Sequence, residues 1–141
     1  TVGVVSGTVI AHLQDEIGQD FIQRYTAKWG EGTSPASGVQ TYDSTHMWAI
    51  AAAVAGGPGA PYEGEKQNRK VAENLRRLTY RGVCGSYRFT DNAGTHYPAQ
   101  TKDPSLGLPH QFLQVQDQDH PPVLIAPAPY DVAEFAMPPW I

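Results

Sequence analysis

The stretch 42–57, with the sequence YDSTHMWAIAAAVAGG, is the segment around which the rest of the chain can be interpreted. Its larger apolar residues recur at the i, i+3, i+4 and i+7 spacing of one helical face, and alanines flank them. This face consists of Met47, Ile50, Ala51 and Val54. The spacing predicts a buried helix, because small flanking residues let neighbouring backbone approach closely.

Both ends of this predicted helix carry signals of their own. Thr41 is a candidate N-terminal cap, and Asp43 would place negative charge near the positive end of the helix dipole. At the other end, Gly56 and Gly57 can adopt a left-handed conformation, and Pro58 cannot continue a helix. The sequence therefore predicts a helix that occupies this stretch and stops at the glycines.

Length and composition predict one globular domain. A chain of 141 residues can bury a single core, and its content of 40% hydrophobic and 17% charged residues is typical of a soluble protein. The net charge of −4 gives no electrostatic reason to expect nucleic acid or an anionic membrane as a partner. A single cysteine, Cys84, excludes an internal disulfide and any site built from several cysteines.

Outside 42–57, the pattern of apolar and polar residues predicts one early strand, two more helices and three later strands. In chain order these elements cover 2–10, 15–29, 65–80, 82–89, 111–116 and 123–126. Asp15 can cap the helix over 15–29, and Gly30 can close it. The first strand is rich in β-branched residues and reads as buried, whereas the tail from 127 is too rich in proline for regular structure. The predicted class is α/β, with a strand, three helices and then a β-meander.

The titratable side chains indicate neither a metal site nor a cofactor site. The five histidines are scattered, and none is paired with another ligand at a zinc-site spacing. His46 is interpreted as a helical histidine. His12 follows the first predicted strand, where a polar group can face a crevice in an α/β protein, but a surface loop is the favoured interpretation. No phosphate-binding loop, dinucleotide fingerprint or nucleophile elbow occurs, so we predict neither catalytic residues nor an enzyme.

A family resemblance is carried by five runs of sequence in a fixed order. They are GVVSGTVI, FIQRYTAKWG, TYDSTHMWAIAAAVAGG, VAENLRRLTYRGVCGSYRFTDNAG and VLIAPAPYDVAEFAMPPWI. A Tyr-Asp pair starts the third run, and a Gly-x-x-Gly-x-x-x-Phe hairpin with Asp and Gly in its turn follows in the fourth. The matching positions are Tyr42, Asp43, Gly82, Gly85, Phe89, Asp91 and Gly94. In this order the chain resembles the C-terminal portion of type I periplasmic substrate-binding proteins, in particular the leucine/isoleucine/valine-binding family of ABC importers.

The resemblance implies a two-lobed α/β protein that captures an amino acid or similar small molecule as the lobes close, without a cofactor. It implies that the 141 residues are one part of a longer protein. Residues 1–11 would form a hinge-crossing strand, 15–80 a helical segment, 81–127 a hairpin and meander, and 128–141 an irregular tail. The implied partner is a membrane permease, and the implied location is periplasmic or extracellular, with a membrane anchor possible.

The resemblance places the ligand at the entrance of the 42–57 helix, where Ser37, Val39 and Tyr42 are the expected ligand-binding residues. Ser37 stands where relatives can carry a bulky apolar residue. A polar serine there would admit a larger or more polar ligand than an aliphatic amino acid.

Three further expectations accompany this interpretation. A ligand-sensing domain of the same fold, of the amide or urea type, would have the same sequence pattern in this segment. An N-terminal threonine can act as a nucleophile with its own amine as base, so Thr1 permits a small hydrolase as an enzyme alternative. Finally, apolar helical faces that lack a covering lobe favour self-association of the isolated chain.

Overall fold

The computed structural model describes residues 1–8, 11–61, 64–89, 103 and 107–141, without the side chain of Ser37. The described part contains three helices: α1 (Glu16–Trp29), α2 (Ala36–Val54) and α3 (Glu65–Arg77). It also contains five strands: β1 (Val5–Thr8), β2 (Thr79–Arg81), β3 (Ser86–Arg88), β4 (Gln111–Gln114) and β5 (Val123–Ala126). The predicted turn at 91–94, the end of the first predicted strand and most of the link over 97–109 lie outside the described residues.

Helix α1 forms as its sequence predicts, with a capping side chain at its start and a glycine at its end. The Asp15 carboxylate accepts a hydrogen bond from the Gly18 N–H at 2.9 Å. Gly30 follows the helix with a φ of 87°, a conformation that glycine adopts without steric cost. Phe21 is buried, whereas Ile17 and Trp29 are exposed, so the apolar face of α1 is only partly covered.

Helix α2 begins at Ala36, six residues before the predicted start at Tyr42. The Val39 N–H already donates to the Pro35 carbonyl at 3.1 Å. Thr41 is therefore not a cap, and Asp43 is not near the positive end of the helix; both predictions are wrong. The Ser, Pro and Gly residues before Tyr42 are typical of a loop. The helix nevertheless starts earlier, because Val39 is buried one turn before Asp43 on the same face.

The buried face of α2 differs from the predicted one. Four buried residues follow one another at four-residue intervals, Val39, Asp43, Met47 and Ala51, and Ala52 beside them is buried as well. Met47 and Ala51 were predicted correctly, whereas Ile50 and Val54 are exposed. The helix ends at the predicted glycines, which have φ values of 85° at Gly56 and 117° at Gly57.

Helix α3 is followed by a short hairpin that the sequence patterns misplace. Glu65 and Arg69 stand one helical turn apart on α3 and form an ion pair at 2.6 Å. The predicted helix over 65–80 is wrong at its end, because Thr79–Arg81 is strand β2, paired antiparallel with β3. The predicted strand over 82–89 is also wrong in its first half. Residues 82–85 form the connecting turn, in which the Gly82 N–H donates to the Gly85 carbonyl at 2.7 Å.

The other strands form a separate antiparallel sheet in the order β1-β4-β5. Strand β5 has the predicted bounds, and β4 is two residues shorter than predicted. Within the described residues, β1 lies at the sheet edge, and Val5 is 43% exposed, so the prediction of a buried first strand is wrong. The later strands thus fall into two sheets instead of one continuous meander.

The main core lies where α1, α2 and the hairpin meet. Its buried residues are Phe21, Val39, Met47, Val83, Cys84, Tyr87 and Leu108. Residues 128–141 are all described and contain no helix or strand, yet hydrogen bonds hold part of this tail in place. The fully buried Gln114 amide accepts from the Ala136 N–H and donates to the Ala136 carbonyl, each at 2.8 Å. Among the described residues, no helix is long and apolar enough to cross a membrane.

Candidate functional site

The surface between α1 and the first half of α2 carries an aromatic groove, which we define by Phe21, Tyr25, Trp29, Tyr42 and His46. Two adjoining cavities of about 260 and 460 Å³ occupy it. The floor is apolar, since Phe21 is buried and the aromatic side chains stand one helical turn apart on each helix. Such a groove can take an apolar or aromatic group of a small ligand.

Tyr42, one of the three expected ligand-binding residues, lies at the centre of this groove. Its ring packs edge to face against Phe21, with ring centroids 5.1 Å apart, and stands 4.2 Å from the His46 ring. Its hydroxyl oxygen accepts a hydrogen bond from Arg24 at 3.2 Å, and Arg24 also pairs with Asp20. The hydrogen bonds to Tyr42 and Asp20 raise the pKa of the Arg24 guanidinium. Tyr42 is therefore held in one orientation with part of its ring accessible.

Of the expected ligand-binding residues, Tyr42 lies at this groove and Val39 does not. Val39 has no exposed surface and packs in the core, so its side chain cannot touch a ligand directly. Its contribution to a site is to fix the first turn of α2. Position 37 belongs to the same first turn, but the Ser37 side chain lies outside the described residues.

The polar side of α2 carries a second concave surface near the same end of the helix. A cavity of about 390 Å³ is lined by Gln40, Thr41, Ser44, Thr45 and Trp48. The Thr45 hydroxyl donates back to the Thr41 carbonyl at 2.8 Å. This surface offers hydroxyl and amide groups beside one exposed indole.

A buried carboxylate fixes the position of α2 relative to the hairpin. Asp43 accepts hydrogen bonds from the Val83 N–H at 2.8 Å, the Cys84 N–H at 3.0 Å and the Tyr87 hydroxyl at 3.0 Å. A side chain at Gly82 would overlap the Asp43 carboxylate, so only glycine fits there. The carboxylate binds the turn as an anion ligand would, and three donors offset the cost of its burial.

The groups around Asp43 are inert as acids at neutral pH. Burial raises the pKa of the Cys84 thiol to about 12 and also raises the pKa of the Tyr87 hydroxyl. Cys84 is thus a packed thiol, not a nucleophile. Among the described residues, no group of three or more His, Cys, Asp and Glu side chains could hold a metal ion.

The role of Asp43 and the aromatic partners of Tyr42 were not predicted from the sequence. Asp43 was assigned to the helix dipole, although its real partners lie about 40 residues away on the hairpin. Gly82 and Gly85 in the hairpin turn could have indicated this role. A glycine-rich turn exposes backbone N–H groups, and these need a hydrogen-bond acceptor when they are buried. The residues of α1 that contact Tyr42 follow the amphipathic pattern of that helix, and nothing else in the sequence predicts that they reach Tyr42.

The order of the helices and strands indicates the fold class of the chain. Three helices, a hairpin and a second antiparallel sheet form a mixed α/β structure, as expected for a fragment of a periplasmic binding-protein fold. The first half of α2 carries two concave surfaces, and the buried Asp43 carboxylate fixes this helix on the hairpin.

Comparison with known proteins agrees with this class. No protein-family model and no curated protein matches the chain. Among solved structures, the chain is similar to the crystal structure of a proposed branched-chain amino acid ABC transporter from Silicibacter pomeroyi, with 50% sequence identity and a TM-score of 0.85. The match covers 99% of this chain but spans only 36% of that protein. The resemblance stated from the sequence and the predicted fold class are thereby confirmed.

Proposed function

We propose that the chain is part of the solute-binding component of an ABC importer, which captures an amino acid or a similar small molecule and catalyses no reaction. The observation that carries this proposal is 50% identity, with a TM-score of 0.85, over 99% of the chain to a protein named as a branched-chain amino acid ABC transporter. The proposed partners are the small-molecule ligand and a membrane permease. The proposed location is the periplasm or the cell exterior.

The proposed ligand site lies at the entrance of α2, with Ser37 and Tyr42 as contacts and Val39 as a positioning residue. The accessible ring of Tyr42 and its bond from Arg24 support a polar contact of fixed orientation. The burial of Val39 and Asp43 supports a rigid first half of α2, which reduces the ordering cost of binding. The other wall of the site would come from residues that this chain does not contain.

A size-selectivity measurement tests the role of position 37 in the protein that carries both lobes. Isothermal titration calorimetry would compare valine and phenylalanine binding to the wild type and to Ser37→Phe. We expect the variant to lose affinity for the larger ligand by about tenfold more than for valine, because added side-chain volume reduces the space at the entrance.

Glu31→Phe adds the same side chain to an exposed loop position and serves as the matched control. It is expected to leave both affinities unchanged. Equal effects of Ser37→Phe on both ligands would remove position 37 from the site.

A further inference from the structure

A cavity that the proposed transport function does not use lies between the β4–β5 sheet and segment 11–14. Its volume is about 510 Å³, within the range of small-molecule sites. Six of its lining residues are His12, Gln14, Leu113, His120, Val123 and Val132. His12, which the sequence places just after the first predicted strand and in a surface loop, lines this cavity.

The segments that form this cavity are held by hydrogen bonds from buried groups. The Gln111 side chain is 2% exposed, and its amide donates to the Ala11 carbonyl at 3.0 Å. Leu13 is fully buried, and its N–H donates to the Val83 carbonyl at 3.1 Å. On the opposite side, the Val132 N–H donates to the Leu124 carbonyl at 2.9 Å. The cavity is therefore preformed, and a ligand would not need to order its walls.

The charge of the cavity walls limits the kind of ligand that fits. Among the described lining residues there is no Asp, Glu, Lys or Arg, and most of the walls are aliphatic or proline. The His120 imidazole is paired with Asp117 at 2.8 Å. Burial lowers the pKa of His12 from 6.5, against the opposing effect of Asp15, so its imidazole is neutral at pH 7. A charged ligand would lose part of its hydration here, and no lining residue carries an opposite charge.

We propose that this cavity binds a small uncharged molecule, mainly apolar and carrying one hydroxyl or amide group, with His12 as its hydrogen-bonding partner. The site is distinct from the entrance of α2. It also differs in chemistry, since an amino acid carries an ammonium and a carboxylate that both require partners. The proposal does not depend on the transport function.

Three probes with the same carbon ring test the class of ligand. Cyclohexanol, cyclohexylamine and cyclohexanecarboxylate would be titrated at neutral pH into the isotope-labelled protein that carries both lobes, with amide and imidazole NMR shifts as the readout. We expect saturable shifts at His12, Leu113 and Val123 with cyclohexanol in the millimolar range. The two charged probes should bind about tenfold more weakly or not at all, because a charge in an apolar cavity is left unpaired.

Two variants test the location of the site. Val132→Trp adds bulk at the rim, where Val132 is 64% exposed, and should abolish cyclohexanol binding while the rest of the spectrum is retained. The control is Glu31→Trp, which adds the same side chain at an exposed loop position and should bind as the wild type does. His12→Phe keeps a planar ring but removes the hydrogen bond, and should weaken binding several-fold.

Three outcomes would overturn the proposal. They are the absence of saturable shifts up to the solubility limit of cyclohexanol, equal affinity for the charged and uncharged probes, and unchanged affinity in both Val132→Trp and His12→Phe. If Val132→Trp does not fold, the result with His12→Phe decides.

Discussion

Asp43 is the residue that joins α2 to the hairpin. Its side chain has no exposed surface, and the hydrogen-bond donors reach it from the turn and from β3. A buried carboxylate without such partners would cost several kcal/mol, but here charge-assisted hydrogen bonds offset that cost. The position of the α2 entrance therefore depends on one side chain in the middle of the helix.

Replacing Asp43 with asparagine should destabilise the fold by about 3 kcal/mol, because an amide accepts through one oxygen only and its NH₂ group then faces backbone donors. Urea unfolding followed by circular dichroism measures this change. Asp20→Asn, which affects only the exposed pair with Arg24, is the control and should cause no measurable change. Equal unfolding midpoints for the two variants would show that Asp43 does not hold the turn.

His12 makes stability depend on pH in a definite direction. Burial lowers its pKa in the folded state below 6.5, so the unfolded chain binds a proton more readily than the folded protein as the pH falls. The contribution of His12 to stability is thus complete above pH 6.5 and is lost as the pH falls from there to the folded-state pKa. We expect the unfolding midpoint to fall over this window.

His12→Gln should flatten this pH dependence, whatever its effect on stability at neutral pH. Urea midpoints from about pH 8 to about pH 5 would be compared with those of His46→Gln, an exposed histidine on α2. Equal slopes for the two variants would contradict the assignment to His12.

At the scale of elements, the hairpin turn and α2 fit together through a position that only glycine can occupy. A Cβ at Gly82 would overlap the Asp43 carboxylate, so Gly82→Ala should push the turn away from α2 and cost about 2 kcal/mol. Gly32→Ala is the control, since nothing lies within 4 Å of a Cβ there, and it should change stability by less than about 0.5 kcal/mol. Thermal unfolding of the two variants measures the difference, and a Gly82→Ala protein as stable as the Gly32→Ala protein would contradict the close fit.

The elements that the sequence predicts correctly are those whose signals are local. Helix α1 has its cap at Asp15 and its stop at Gly30, and β5 is a short apolar run bounded by prolines. The start of α2 was not predictable, because Asp43 is stabilised by groups 40 or more residues away. Strand β2 continues the helical pattern of α3, and only its pairing with β3 makes it a strand.

The candidate site was predictable only in part, because its contacts also join residues that are far apart in the sequence. The resemblance placed Tyr42 near a ligand surface, and Tyr42 does line a groove. The rest of that groove depends on Phe21 and Arg24, which reach Tyr42 through the packing of α1 against α2. Spacing along one helix does not show which neighbouring helix covers it.

At the scale of the whole molecule, the chain exposes more large apolar side chains than a monomer of this size normally does. Those on α2 and in the tail are Trp48, Ile50, Val54, Val132, Phe135, Met137, Trp140 and Ile141. In sedimentation velocity we expect the isolated chain to associate, with an apparent mass above 15.3 kDa that rises with concentration. Ile50→Glu should reduce this association. A stable monomer that melts cooperatively would contradict the expectation that a missing lobe covers α2.

The central claim is that the chain provides one part of an amino-acid-binding protein. Isothermal titration calorimetry of the protein that carries both lobes, with leucine, isoleucine and valine as ligands, tests it most directly. We expect saturable one-to-one binding of at least one of them, with a melting temperature that rises as the ligand concentration exceeds Kd. Binding of none of the three, together with no shift in melting temperature across the standard amino acids, would contradict it.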